Sequence, residues 1–268
     1  MNYLNSILFS ILFLFTTQIF GQTELENSFP SFSATQVYVD HLGNIYLVSD
    51  ANVYKTDRYG KKLFEYNNPG LGKVTYINVF NPLNILVFYE ESNQYVFLDN
   101  RLNPNLNNFV PANSGYFDVQ LTATKDQNNI WFYDQVNDKI HLWSLTRNVV
   151  LSSSLQVRQL AFNNARPNYI YATIKNVYLN IPDVGIIVFD NFGSYEKSIP
   201  ITNLKKFALT ESGIIFEKDG LIEQFNLFTK ESVIHKIPDD SYSDISFYND
   251  RIILLKKDII KIYKISKN

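Results

Sequence analysis

The residues best suited to acid–base or metal chemistry are three histidines, and they lie far apart in the chain. His41 falls in a predicted turn, whereas His141 and His235 fall within predicted strands. A metal site needs several ligands that converge on one ion, and none of the three has a His or Glu at ligand spacing. The sequence therefore predicts no metal site, no catalytic residue and no bound cofactor.

Two pairs of adjacent carboxylates, Glu90-Glu91 and Asp239-Asp240, are the next candidates for catalysis. Adjacent residues in a strand or turn point in different directions, so we expect solvated loop charges rather than a catalytic pair. The chain has no cysteine, which excludes thiol catalysis and disulfides. Its net charge of −2 argues against a nucleic-acid partner, since phosphate binding needs concentrated Lys and Arg.

The amino terminus carries a short apolar run, Ile7 to Phe15, which is too short to span a bilayer. It is followed by polar residues and then by Gly21, a pattern that predicts a signal peptide over residues 1–21. No Lys or Arg precedes the run, so an uncleaved anchor helix stays open as the alternative. We expect an exported, periplasmic protein, associated or not with the outer membrane, with no membrane span after cleavage.

The remaining composition indicates an all-β protein, because 18 Tyr and 21 Phe alternate with Val and Ile. Residues Val37 to Tyr66 give a template of four short strands joined by tight turns. This unit recurs over residues 76–110, 118–153, 158–201 and 205–237, and three further strands follow over 244–266. The segment 175–184 reads as a long loop between two strands of the fourth unit.

One turn marks the repeat. Asp57 to Gly60 and Asp190 to Gly193 share an Asp-x-aromatic-Gly sequence, and Asp99 to Leu102 is a version without Gly. Equivalent points recur at roughly 40 to 45 residues, the length of one four-stranded propeller blade. We therefore predict a six-bladed β-propeller with four-stranded antiparallel blades, in one domain over residues 22–268. A seven-bladed ring and a β-sandwich are the alternatives.

The last unit has only three strands, which would leave an exposed edge. Residues Glu24 to Ser33 precede the first unit and are predicted to supply the missing outer strand and close the ring. Pro30 suits such an edge position.

The Asp-x-aromatic-Gly turn and the segment Gly43 to Leu47 resemble the loose consensus of NHL-like and YVTN-like propellers. Residues Asn81 to Tyr89, with Leu98 to Asn100, are similar to a small group of exported propellers from the bacterial lineage that uses the type 9 secretion system. The chain also resembles the periplasmic plug subunit that closes that system's outer-membrane translocon. These resemblances imply a periplasmic location and carry over no site residue.

A partner-binding surface is predicted on one face of the ring. In a propeller, the second-to-third-strand loops and the connections between blades share a face, and here they are rich in acidic residues. The predicted contact residues are the acidic Glu90, Glu91, Asp134, Asp138, Asp239 and Asp240, and the apolar Val177, Tyr178, Leu179 and Ile181 of the long loop.

The predicted function is that of a non-catalytic scaffold that binds a protein partner in the periplasm or at the outer membrane, such as a subunit of an outer-membrane or type 9 secretion assembly. The alternative is an enzyme or carbohydrate-binding propeller that uses the central depression. Enzymes on this fold gather charged side chains around the axis, whereas the predicted inner strands offer only scattered Asp40, Arg158, Lys205 and Asp244. Trp131 and Trp143 are predicted to pack between blades rather than to stack on a sugar.

Overall fold

The chain forms a ring of six sheets, each of which is one blade of a β-propeller, and the strands pair antiparallel except that residues 20–21 pair parallel with residues 234–235. The computed structural model describes residues 20–105, 109, 111–116, 119–161, 166–239 and 241–266. The predicted all-β, six-bladed architecture with four-stranded blades is confirmed. The part of the predicted signal peptide before residue 20 lies outside the described residues. No helix in these described ranges is both long enough and apolar enough to cross a bilayer.

The strands follow the blades in chain order. Two strands precede the first blade: β1 (Phe20–Gly21) and β2 (Thr23–Pro30). Blade 1 contains β3 (Gln36–Val39), β4 (Ile45–Ser49), β5 (Asn52–Thr56) and β6 (Lys62–Asn67), and blade 2 contains β7 (Tyr76–Asn78), β8 (Ile85–Tyr89) and β9 (Gln94–Leu98). Blade 3 contains β10 (Val119–Thr124), β11 (Asn129–Asp134), β12 (Lys139–Ser144) and β13 (Val149–Ser153).

Blade 4 contains β14 (Tyr169–Ala172), β15 (Asn176–Ile181), β16 (Gly185–Asp190) and β17 (Tyr195–Ile199). Blade 5 contains β18 (Phe207–Leu209), β19 (Gly213–Lys218), β20 (Leu221–Asn226) and β21 (Ser232–Lys236), and blade 6 contains β22 (Asp244–Tyr248), β23 (Arg251–Lys256) and β24 (Ile259–Ile265). A short helix, α1 (Val157–Ala161), and two 3-10 turns, Pro69–Leu71 and Pro111–Ser114, lie between blades. In blade 2 the outer position is held by two bridges, Tyr95 to Phe109 and Leu98 to Pro104.

The core consists of six separate apolar seams, one between each pair of neighbouring blades. The second strand of a blade has a neighbouring blade on both sides, so β4 and β8 are almost fully buried and read as continuous apolar runs. The outer strands β13 and β17 are largely exposed and carry polar residues. Trp131 packs in the seam between blades 3 and 4 and Trp143 in the seam between blades 2 and 3, as predicted.

The Asp turns form as the sequence indicates. Oδ1 of Asp57 accepts hydrogen bonds from the backbone N–H groups of residues 59 and 61, both at 2.9 Å, and Asp99 and Asp190 do the same in their own turns. Gly60 and Gly193 both have φ of 86°, a conformation that suits glycine. Leu102 takes this position in blade 2 with φ of 63°. Its side chain is buried in the seam between blades 1 and 2, which offsets the backbone strain.

Strand β2 occupies the outer position of blade 6, where the sequence analysis placed an N-terminal strand. It pairs antiparallel with β24, from Thr23 opposite Ile265 to Pro30 opposite Ile259. The guanidinium of Arg251 donates two hydrogen bonds to Glu26, at 2.6 and 2.9 Å. On the inner side of blade 6, β22 lies against β3 of blade 1, which completes the ring.

The predicted strand assignment of blade 4 is wrong by one strand. Residues 157–161 form α1 instead of an inner strand, and β14 takes the inner position. The segment predicted as a long apolar loop is therefore largely strand β15. Val177, Leu179 and Ile181 alternate along it and are fully buried against blade 3, while Tyr178 packs towards blade 5. These four residues form interblade core and not an exposed docking centre.

Candidate functional site

The described acidic residues of the predicted contact surface are mostly occupied within the ring. Asp134 is buried, and its Oδ1 accepts hydrogen bonds from the backbone N–H groups of Val136 and Asn137, at 2.9 and 3.2 Å. Asp138 accepts hydrogen bonds from the Tyr133 hydroxyl at 2.7 Å and from the backbone N–H of Arg158 at 2.8 Å. These two carboxylates hold the β11–β12 turn and its connection to α1, and their contact with a partner stays a prediction.

Asp239 is held in a similar way. Lys256 donates hydrogen bonds to both of its carboxylate oxygens, at 2.8 and 2.9 Å, and Lys261 donates a third at 2.8 Å. These hydrogen bonds, that from Lys256 first, lower the pKa of Asp239. Asp240 lies outside the described residues. Glu90 and Glu91 are exposed at the β8–β9 turn, so they remain available to a partner.

The opposite face, here called the turn face, carries the exposed apolar side chains. It consists of the first-to-second-strand turns (40–44, 79–84, 125–128, 173–175, 210–212 and 249–250) and the third-to-fourth-strand turns (57–61, 99–103, 145–148, 191–194 and 227–231). Leu42, Leu83 and Ile174, in the inner set of turns, are 65%, 52% and 72% exposed. Tyr59, Phe192 and Phe228 are exposed in the outer set. In the described loops of the other face, the exposed large apolar residues are Val136 and Leu155.

An aromatic pocket lies on the ring axis and opens at the turn face. It has a volume of about 160 Å³. Its walls come from the inner strands of blades 1, 2, 4, 5 and 6 and from the residues that follow them. The aromatic lining residues are Tyr38, Tyr76, Phe80, Tyr169, Tyr171 and Phe207. Leu42, Leu83 and Ile174 are in the turns that follow three of these inner strands, and we call these three residues the apolar rim.

The rings of the pocket meet mostly edge to face. The centroids of Phe80 and Tyr171 are 5.3 Å apart at an interplanar angle of 69°, and those of Tyr169 and Phe207 are 5.4 Å apart at 80°. Such arrangements suit the ring quadrupoles. Phe80 belongs to the blade 2 turn and Tyr171 to blade 4, so aromatic side chains meet across the axis. The pocket is thus a product of ring closure.

The polar groups of the pocket are mainly hydroxyl groups. Tyr38 donates a hydrogen bond to Gln36 at 2.6 Å, and the amide of Asn78 donates one to the Tyr76 hydroxyl at 3.1 Å. Tyr169 and Tyr171 make no side-chain hydrogen bond to residues in the described part of the chain. Burial raises the pKa of Tyr76 to about 12 and also raises the pKa values of the other three tyrosines. All four phenols are therefore protonated at neutral pH.

One charged pair lies beside these tyrosines. Nζ of Lys206, which lines the pocket, is 2.6 Å from Oδ1 of Asp244 and 5.7 Å from the centre of the Tyr38 ring. Asp244 is thus one of the charged inner-strand residues expected from the sequence, whereas its expected companion Lys205 is exposed. Asp40 is buried and accepts hydrogen bonds within its own turn and from the Tyr46 hydroxyl. The sequence feature that could have indicated this pocket is the presence of tyrosines in the first strand of several blades.

Blade 3 brings together an Asp, a His and a Ser. Nδ1 of His141 is 2.7 Å from Oγ of Ser153, but its Nε2 is 3.6 Å from Oδ2 of Asp134, which is too long for a hydrogen bond. That oxygen instead accepts a hydrogen bond from the amide of Asn137 at 2.6 Å. Burial lowers the pKa of His141, which keeps the imidazole neutral. The group lacks the bond that orients the base in a nucleophilic triad, and it ties β12 to β13.

His41 lines the pocket at its mouth, where its Nδ1 is 3.1 Å from the carbonyl oxygen of Phe80. His235 is buried in β21, within 3.3 Å of the side chain of Gln224. Across the described ranges, no three His, Asp or Glu side chains are grouped so that they could hold a metal ion.

No protein-family model matches the chain, and no curated protein matches it. Solved structures of other propellers do match the chain. The WD40 β-propeller domain of Doa1 matches with a TM-score of 0.59 and 12% identity, over 87% of this chain and 79% of that one. The WD40 domain of Neurospora crassa Pan2 matches with 0.58 and 8%, over 92% and 96%. A streptogramin B lyase matches with 0.55 and 14%, over 91% and 98%. At these identities the likeness shows that the chain shares the propeller fold.

Proposed function

We propose that this protein is a non-catalytic binding propeller that holds a protein partner on its turn face. The observation that carries the proposal is the apolar rim, three large aliphatic side chains that are exposed in the turns following three of the strands that wall the aromatic pocket. Exposed apolar side chains grouped at a concave site mark contact surfaces, whereas single ones scattered over a surface need no explanation. Aromatic pockets at the centre of an interface commonly supply most of its affinity.

The fold supports this function by its rigidity. The turns that carry the rim are short, and Asp40 and Thr173 accept backbone hydrogen bonds within two of them. The rim side chains are therefore presented without much loss of backbone freedom on binding, which favours affinity. Two of the similar solved structures are WD40 domains, a propeller class that commonly serves protein interaction.

In this proposal the protein is exported and acts in the periplasm, as a subunit of an outer-membrane or type 9 secretion assembly. The support for export is the apolar run at residues 7–15 with the small residue Gly21 after it. The support for the assembly is the resemblance at Asn81 to Tyr89. Fractionation of cells that express the full chain tests the location, and recovery in the cytoplasm with Met1 retained would contradict export.

The docking face is tested with a matched pair of double variants. Leu42→Ser with Ile174→Ser removes two members of the apolar rim, and Val136→Ser with Leu155→Ser removes two equally exposed residues from the opposite face. Partners captured by the wild-type protein from detergent-solubilised membranes are identified, purified and titrated. We expect the rim variant to lose at least about tenfold in affinity, the scale of one or two interface contacts, and the control to lose little.

The opposite result would place the partner on the other face. A loss confined to the Val136 and Leu155 variant, or to Glu90→Lys with Glu91→Lys, would contradict the proposal. The Glu90 and Glu91 variant is informative in a second way, since exposed rim charges act mostly through a salt-dependent association rate.

A further inference from the structure

We propose that the axial pocket binds a single phenol ring, either the side chain of a tyrosine on the docked partner or a free small phenol. The inference rests on the proposed function insofar as the pocket is walled by the inner strands whose following turns carry the apolar rim. It adds the chemistry of the group that the pocket selects.

The size of the pocket limits its occupant to one ring. Its volume is about 160 Å³. An apolar cavity of about 150 Å³ accommodates one benzene, whereas pockets for larger ligands run from about 300 Å³ upward. A six-membered ring therefore fits, and a whole larger ligand, such as a disaccharide, does not.

The walls favour an aromatic ring over a saturated one. Phe80, Tyr171 and Phe207 form consecutive contacts with centroids 5.3 and 6.1 Å apart at interplanar angles of 69° and 41°, so this wall of the pocket contains both ring edges and ring faces. An aromatic guest gains from edge-to-face contact with such walls, beyond the apolar area that it buries. Cyclohexyl groups bury similar area but lack the ring quadrupole.

The hydroxyl groups of the pocket favour an oxygen on that ring. Tyr169 and Tyr171 have no protein partner for their hydroxyls among the described residues, and Tyr76 uses its oxygen to accept from Asn78 and keeps its proton to donate. Burial, and after it the neighbouring phenols, raises the pKa values of Tyr169 and Tyr171, so both hydroxyls keep a proton to donate. A guest oxygen that both accepts and donates satisfies them in the way that a water molecule would.

The charge balance favours a neutral guest. Lys206 and Asp244 already form a close pair, so the pocket offers no unpaired charge from that side. A carboxylate would lose its hydration without gaining an opposite charge, and an ammonium group would meet the Lys206 cation first. A phenol is neutral below about pH 10 and avoids both costs.

The probes are phenol, benzene and cyclohexanol, titrated into the mature full-length ring and followed by NMR. We expect phenol to bind about tenfold more tightly than either of the others. The variant Tyr169→Phe with Tyr171→Phe keeps both rings and removes both hydroxyls. It should weaken phenol by about tenfold, the value of one hydrogen bond, and leave benzene unchanged. Retained benzene binding also shows that this variant is folded.

The matched control is Tyr59→Phe with Tyr195→Phe, which alters two exposed tyrosines away from the axis. It should leave phenol binding unchanged. Equal affinity for phenol and benzene, an equal loss in the control, or no phenol binding by the wild-type ring would each overturn the inference.

Two further measurements are needed. One distinguishes a partner tyrosine from a free small phenol as the source of the bound phenol ring, and the other separates this inference from the proposed function. N-acetyl-tyrosine amide that competes with phenol indicates a partner tyrosine, whereas phenol binding without such competition indicates a free small phenol. The rim variant Leu42→Ser with Ile174→Ser should keep phenol binding while losing the partner. If both that variant and the Tyr169 and Tyr171 variant keep the partner, the proposed function is contradicted. The phenol result would still hold in that case.

Discussion

Replacing Phe29 with alanine tests how much strand β2 contributes to closing the ring. Phe29 lies near the end of β2, is only 6% exposed, and packs in the seam between blades 6 and 1. Its ring rests directly on Gly60, because a Cβ atom at Gly60 would come within 2.3 Å of Cγ of Phe29. The backbone beneath the ring is the base of a tight turn, so the site has little room to collapse.

The expected loss follows from this geometry. Replacing a buried Phe with Ala typically costs 3–5 kcal/mol, and we expect about 3 kcal/mol here because β2 is an edge strand that water can partly reach. For a domain of this size that corresponds to a fall of about 6 to 12 °C in melting temperature. Removal of residues 24–33 should cost more, since it also exposes the edge of β24.

The assay is thermal and urea unfolding of the purified protein, with Leu25→Ala as the control on the same strand. Leu25 is 51% exposed, so its truncation should change stability by no more than about 0.5 kcal/mol. If Phe29→Ala melts within a degree or two of Leu25→Ala, the reasoning that β2 holds the seam through its buried face is refuted.

Three further outcomes are expected. Gly60→Ala and Gly220→Ala both place a side chain at positive φ, but of these two only the new Cβ at position 60 meets another residue. Urea unfolding should show a loss of stability of about 1 kcal/mol for Gly220→Ala and at least about 2 kcal/mol more for Gly60→Ala. Equal losses would contradict the packing of Phe29 on Gly60. The pKa of Asp239 is held below its ordinary value of 3.8, so its contribution to stability is present above that value and is lost as pH falls below it. Asp239→Asn should therefore flatten the stability curve between about pH 5 and pH 2, and parallel curves would show that the lysine pair does not matter. Amino-terminal sequencing of the exported protein should begin at Gln22, and a sequence that begins at Met1 would exclude cleavage.

The fold could be predicted because its determinants are local and repeated. Each blade contains tight turns with Asp, Asn or Gly residues that can be recognised individually, and most of the strands between them alternate apolar and polar residues. Even the turn without glycine at Leu102 belongs to the series. Blade 4 differs from the prediction because residues 157–161 mix the apolar Val157, Leu160 and Ala161 with Arg158 and Gln159, and so short a segment suits a helix as well as a strand. Val177, Leu179 and Ile181 recur at every second position, a pattern that is typical of a strand rather than of the loop predicted for this segment.

The candidate site was harder to predict because it depends on which residues meet across the ring. Tyr38, Tyr76 and Tyr169 each look like ordinary strand tyrosines, and only closure of the ring brings them together. The role of the acidic residues is hard to predict for a different reason. The sequence around a turn aspartate does not show whether its carboxylate is solvated or accepts hydrogen bonds from nearby backbone N–H groups, and Asp134 and Asp138 accept such hydrogen bonds. Glu90 and Glu91 remain the exposed part of that predicted surface.

Pairing between the two ends of the chain also constrains the order of folding. Thr23 lies opposite Ile265, so β2 can pair only once the distant strand β24 is available to it. Blades 1 to 5 contain mostly contacts close in sequence and can form early, whereas the seam at Phe29 closes a loop of nearly the entire chain. Until then the edge of β24 is open to strands from other chains. The chain is therefore most exposed to aggregation just before β2 docks on β24, and a chaperone that covers either unpaired strand would protect it at that stage.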